Sequence, residues 1–218
     1  MDWAAQVDGY CERTDFSYWA EPLNSVTNLG YLLVALWFLR AMGGVPFGRA
    51  LTALLLAISI GSYLFHTHAT GWAGLADVLP IGLFILLYLY AVNRAVLGWP
   101  NWAAGLGVLA YLPYAAGVVW VTDRLPFVHN SNFYWSVPIL MAIYALGLRR
   151  RAPGMARTLA TAAALLCLSI SIRSLDELLC AQIPIGTHFL WHLINAAMFI
   201  VVLGGYRAHV LAGPSARG

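Results

Sequence analysis

The chain has 218 residues, of which 61% are hydrophobic and only 10% charged, and its mean hydropathy is +0.74. Soluble domains carry roughly 25% charged residues, so this composition excludes a water-soluble globular enzyme and describes an integral membrane protein. The formal net charge of +3 rests on twelve basic residues, all arginine and spread through short loops, which excludes a nucleic-acid-binding surface.

Residues 1–21 are polar and acidic, without a charged start followed by an apolar core, so no cleavable signal peptide is expected. Seven apolar runs follow, near 23–41, 49–67, 73–93, 102–121, 133–149, 157–175 and 186–208. Each approaches the length of about 20 residues that carries a helix across a hydrocarbon core of about 30 Å. The linkers hold turn-forming residues: Gly43-Gly44-Val45-Pro46, Gly98-Trp99-Pro100-Asn101 and Arg151-Ala152-Pro153-Gly154. They are short, so neighbouring helices should run antiparallel. No segment pattern of period two suggests a barrel. The expected fold is an all-α, seven-transmembrane-helix bundle in one domain: an acidic segment 1–22, the bundle 23–208 and a tail 209–218.

Charge sets the expected orientation. Arg40, Arg49, Arg94, Arg149, Arg150, Arg151, Arg157, Arg207 and Arg217 fall on one side, read as cytoplasmic. Asp2, Asp8, Glu12, Asp15, Glu21, Asp77, Asp123, Asp176 and Glu177 all fall at or near the other. The N-terminus is therefore expected outside and the C-terminus inside. Arginine usage without lysine points to a bacterial inner membrane, with the site on the periplasmic side. Cys11 and Cys180 share the outer face, where an oxidising environment would allow a disulfide. Two free thiols are the alternative. Cys167 lies mid-membrane.

The chemistry concentrates at the outer helix ends. His188 and His192, in the run Thr187-His188-Phe189-Leu190-Trp191-His192, are four apart and share one helix face. That is the spacing at which two imidazoles hold one metal ion. His66 closes the second run, with Ser62 one turn earlier, and Asp77 opens the third. Polar groups in membrane spans are costly and face the bundle interior or a wet cavity. A lone histidine there is more often structural than a ligand, but three at one depth beside a carboxylate favour a metal. Three imidazoles with a fourth position left to water suit catalytic zinc. Asp77 would then exchange protons with that water, and Ser62 would either assist an oxyanion or bond back to its own helix. His68 competes with His66 but points to another helix face. His129, in a polar loop, and His209, at the inner end, are not expected ligands.

The run Ser62-Tyr63-Leu64-Phe65-His66, then Asp77, then His188 to His192 resembles the motif set of the alkaline ceramidases. These are seven-helix members of a membrane-hydrolase superfamily that also includes the adiponectin receptors. Tyr10-Cys11-Glu12 and the stretch Trp19 to Asn28 are similar to that family's N-terminal approach to the first helix. The resemblance implies zinc held by His66, His188 and His192, amide hydrolysis assisted by Asp77 and Ser62, and a Cys11–Cys180 disulfide. It also implies a calcium ion bound by the acidic segment, where Glu12 and Glu21 match the family's acids directly, Asp8 matches with one extra residue and Thr14 stands where the family has asparagine. Calcium takes oxygen ligands, which Asp8, Glu12, Asp15 and Glu21 offer; a solvated acidic segment is the alternative. Arg173, Asp176 and Glu177, at helical spacing, are expected to form an ion-pair cluster supporting the site, with a role in gripping a lipid head group as the alternative. The expected substrate is a ceramide-like N-acyl lipid. Hydrolysis of another N-acyl lipid, a metal-stabilised lipid-binding receptor, or a transporter with a histidine-lined proton path are the alternatives.

Overall fold

The computed structural model describes residues 2–7, 9–125 and 129–213, without the side chains of 129 and 130. Seven of its helices are long and apolar enough to cross a membrane. The first span is built from α1 (Pro22–Thr27) and α2 (Leu29–Ala41). The others are α3 (Gly48–His68), α4 (Gly71–Ala95), α5 (Asn101–Thr122), α6 (Ser136–Leu148), α7 (Pro153–Leu175) and α8 (His188–Leu211). A 3₁₀ stretch, His129–Trp135, feeds α6 and completes its span. Among the described residues the one extended pairing is an antiparallel bridge between Gln6 and Thr70.

The helix limits follow from local chemistry. Proline occupies the first helical position of α1 and α7, where its missing N–H is no loss. Gly98 takes φ 73°, the left-handed turn that reverses the chain between α4 and α5. Apolar side chains then divide between two solvents. Trp37, Trp102 and Leu146 stand 66–73% exposed on the outer surface, where lipid rather than water would cover them. The core sits between α2, α3, α4, α7 and α8, with Ala35, Leu51, Leu55, Met155, Leu203 and Tyr206 fully enclosed.

α3 and α4 lie backbone against backbone where Gly61 faces Ala76. A Cβ on Gly61 would collide with the Ala76 carbonyl oxygen. Pro80 lies inside α4, and a proline withholds the N–H that would otherwise bond the carbonyl four residues earlier. That carbonyl is Ala76, so the oxygen freed by Pro80 is the one laid against Gly61. This contact places Ser62 and His66 of α3 beside Asp77 of α4.

The two ends of the bundle are tied differently. At one end the Tyr206 hydroxyl donates to Pro46 O at 3.0 Å and Arg207 Nε to Ala41 O at 2.7 Å, fixing α8 to the α2–α3 loop. At the other end the N-terminal segment lies across the α3–α4 turn. Val7 N donates to Ala69 O at 2.8 Å, Gly71 N to Ala5 O at 3.1 Å and Trp72 N to Trp3 O at 3.0 Å. A disulfide between Cys11 and Cys180 joins the same segment to the loop before α8.

Candidate metal centre

His66 ends α3, while His188 and His192 occupy the first two turns of α8. Their ring nitrogens include one from each residue within 4.8 Å of one another, and all three residues are buried. His66 Nε2 and His192 Nε2 are 3.2 Å apart. The hydrogen bonds on the far sides of the rings assign their protons. His66 Nδ1 lies 2.6 Å from Glu21 Oε2, and a carboxylate can only accept. His192 Nδ1 lies 2.8 Å from Thr27 Oγ1, whose own hydrogen serves Leu23 O at 2.8 Å or Asn24 O at 3.1 Å. Both Nδ1 atoms therefore carry hydrogen, and two Nε2 lone pairs face each other in a buried site. A shared cation would satisfy both, and the outward bonds set tautomer and ring orientation as partners of metal-bound histidines do. The Nδ1 atom of His188 is buried with no hydrogen-bond partner among the described residues, and the ring of Tyr10 stacks on that imidazole at 3.7 Å. His68 is exposed and packs against Tyr18 and Trp72, so α3 sends His66 and not His68 inward.

The start of α8 is fixed by Asp176. Its carboxylate accepts from the backbone N–H of Thr187, of His188 at 2.8 Å and of Cys11 at 3.0 Å. It thus caps the helix that carries two of the histidines and also holds the N-terminal segment at the disulfide. The spacing of Arg173, Asp176 and Glu177 suggested an ion-pair cluster; the support Asp176 gives is a helix cap. Arg173 donates to Ser131 Oγ at 2.8 Å and Tyr10 OH at 3.4 Å. Its guanidinium lies 5.5–5.9 Å from the ring centres of Tyr10, Tyr134 and Trp191.

Asp77 stands where two cavities meet. The inner one, about 110 Å³, is almost wholly apolar and reaches from Ser62 and Asp77 down to Phe84, Tyr88 and Val202. The outer one, about 360 Å³, carries Tyr10, Arg173, Asp176 and Glu177. Ser62 is placed to hydrogen-bond Asp77, and the Arg173 guanidinium is the fixed positive charge that bears on its carboxylate.

The acidic segment is organised around an arginine. Arg13 is 6% exposed and its Nε donates to Glu21 Oε1 at 2.6 Å. Its two terminal nitrogens donate to Asp15 O at 3.0 Å and His66 O at 2.9 Å. Burial works to raise the Glu21 carboxyl, but the His66, Asn24 and Arg13 partners outweigh it and hold it below its ordinary value. Glu12 accepts from Leu23 N at 2.7 Å and Asn24 N at 2.8 Å, capping α1 from a distance. Burial raises its carboxyl against those two bonds. Asp15 bonds Ser17 N on the surface at 2.7 Å. Asp8 lies outside the described residues.

The geometry gathers His66, His188, His192, Ser62 and Asp77, all singled out by spacing, at one end of the bundle. Tyr10, Arg13 and Thr27 were not foreseen. Tyr10 and Arg13 act on histidines from the segment before α1, where the one hint was a basic residue inside an otherwise acidic stretch, and Thr27 does so from the end of α1.

Seven apolar spans enclosing a buried three-histidine cluster that could hold a metal ion define an integral membrane protein with a metal-capable intramembrane site. The chain belongs to the Ceramidase family, whose model matches residues 4–216. No curated protein matches it. Family membership points to hydrolysis of a lipid amide.

Proposed function

We propose that the chain is a zinc-dependent amidohydrolase that cleaves the N-acyl bond of a ceramide-like lipid to a fatty acid and a sphingoid base. The observation that carries this reading is the pair of facing Nε2 atoms at 3.2 Å. Nitrogens bound tetrahedrally at about 2.0–2.1 Å from zinc lie roughly 3.3–3.4 Å from each other. Three neutral imidazoles also suit zinc better than magnesium or calcium, which prefer oxygen. His66, His188 and His192 would hold the ion. Bound there, zinc would polarise the amide carbonyl and make water a better nucleophile near neutral pH.

The rest falls to the chain's own groups. Asp77 takes a proton from the attacking water as the new C–O bond forms, and returns it to the amide nitrogen as the C–N bond breaks. The Ser62 hydroxyl donates a hydrogen bond to the carbonyl oxygen while that oxygen gains negative charge. The inner cavity accepts an acyl chain, and the outer one, with Tyr10 and Arg173, accepts the hydroxylated head. Asp77 at their junction meets the bond between the two parts. The arginine-rich end of the bundle lies opposite the site, and the charge rule supports an outer-facing site. In a bacterial inner membrane that face is periplasmic, an environment that permits the Cys11–Cys180 disulfide.

Purified protein incubated with a panel of N-acyl lipids and followed by mass spectrometry tests the reading. Release of fatty acid and sphingoid base from ceramide, lost on stripping zinc and regained on its return, is expected. Zinc-dependent cleavage of other N-acyl lipids alone would replace the substrate. Metal-dependent stability without turnover on any lipid would favour a receptor.

A further inference from the structure

The acidic segment resembles a calcium site in composition, but its described residues do not fit a calcium ion. Calcium takes six to eight oxygen ligands. Glu21 already accepts from Arg13 Nε at 2.6 Å, His66 Nδ1 at 2.6 Å and Asn24 Nδ2 at 3.0 Å. A carboxylate has about four lone-pair sites, so three are spent. Both oxygens of Glu12 are engaged by backbone N–H groups at the start of α1. The carboxylate of Asp15 is turned to the surface. The space beside Glu21 is filled by a guanidinium, which carries a permanent positive charge.

We propose that Arg13 is the resident cation of this segment, doing internally and without calcium what a bound ion would do between the N-terminal segment and the metal centre. Its three donors reach three places. Nε neutralises Glu21, one terminal nitrogen holds Asp15 O, and the other holds His66 O at the end of α3. The last contact is the informative one. Arg13 grips the backbone of a histidine whose ring is gripped by Glu21, so one ion pair fixes His66 from both sides. A hydrated calcium ion beside this fixed charge would be repelled, and among the described residues it would meet Glu12 and Glu21 already engaged and Asp15 turned away to the surface. Arg13 is accordingly a positioning residue for His66, and the protein neither binds nor needs calcium.

The test is run on purified full-length protein in detergent, in buffers cleared of calcium by resin, because common chelators would also remove zinc. Isothermal titration with calcium chloride and thermal unfolding with and without the ion need no substrate, so their result is independent of the hydrolase reading. The expectation is no binding heat and a melting temperature unchanged by calcium. Arg13→Gln, which keeps polarity but not charge, should melt at least about 5 °C lower and hold zinc about 10-fold less tightly, with no change on adding calcium to wild type. Stoichiometric calcium binding by the wild-type protein, a calcium-induced rise in its melting temperature, or an Arg13→Gln protein with wild-type melting and zinc affinity would each overturn the proposal.

Discussion

Glu21→Gln is the substitution whose outcome the geometry constrains most tightly. Glu21 is 2% exposed and its two oxygens receive N–H donors from Arg13, His66 and Asn24. Glutamine keeps the shape but has one acceptor oxygen and one donor NH₂. In one flip the amide faces Arg13 Nε–H, in the other it faces His66 Nδ1–H, so a donor meets a donor either way. The Arg13 guanidinium also stays buried without its counter-charge. Breaking a buried pair by removing one partner costs about 3–5 kcal/mol. For a chain of this size that corresponds to a melting temperature lower by about 6–20 °C, taking 2–4 °C per kcal/mol. Losing the partner of a ligating histidine should also weaken the metal site by about 10–100-fold. Thermal unfolding in detergent and zinc competition against a fluorescent chelator read the two effects separately. A Glu21→Gln protein with unchanged melting and unchanged zinc affinity would refute the argument.

Two further perturbations probe the frame around the site. Gly61→Ala drives a methyl group into the Ala76 carbonyl and must push α3 from α4; overpacking of this kind costs about 1–3 kcal/mol, and hydrolysis should fall more than stability because Ser62 and His66 move away from Asp77. A wild-type turnover in that variant would show that the helix contact does not set the site. Cys180→Ser opens a cross-link of sequence separation 169, for which chain-entropy reasoning allows up to about 5 kcal/mol. Unfolding should move to lower temperature, as it should in wild-type protein under reductant, and an unchanged transition in both would argue against a stabilising role.

The fold was legible because its governing signal is crude. Seven apolar runs of near-constant length can only be satisfied by seven helices in lipid, and no competing period disturbs them. The three histidines were legible for a related reason: polar residues inside an apolar run are few, and those at one depth can be matched across helices. His66 and His68 were separable because helical rotation sends residues two apart to different faces. What the sequence did not reveal lies in the segment before α1. There Arg13, Glu12 and Tyr10 find partners set by the third dimension, Arg13 at His66 O and Tyr10 against His188. An acidic composition suggests an external cation, while the burial of one arginine within it is a tertiary fact. Asp176 shows the same limit from another direction. Its spacing from Arg173 suggests an ion pair, but its carboxylate caps the N–H groups of Thr187 and His188 at the start of α8 and also takes the N–H of Cys11.

The central claim is that Asp77 moves a proton beside a metal held by three histidines, and one variant measures it. Asp77→Asn preserves size and hydrogen bonding but cannot take a proton, and Asp77 is not among the grouped metal-capable side chains. Zinc content per chain by elemental analysis should match the wild type. The rate of ceramide hydrolysis at saturating substrate should fall by about 10²–10⁴-fold, the usual worth of general acid–base assistance. An Asp77→Asn protein that keeps its zinc and hydrolyses the lipid at the wild-type rate would contradict the account.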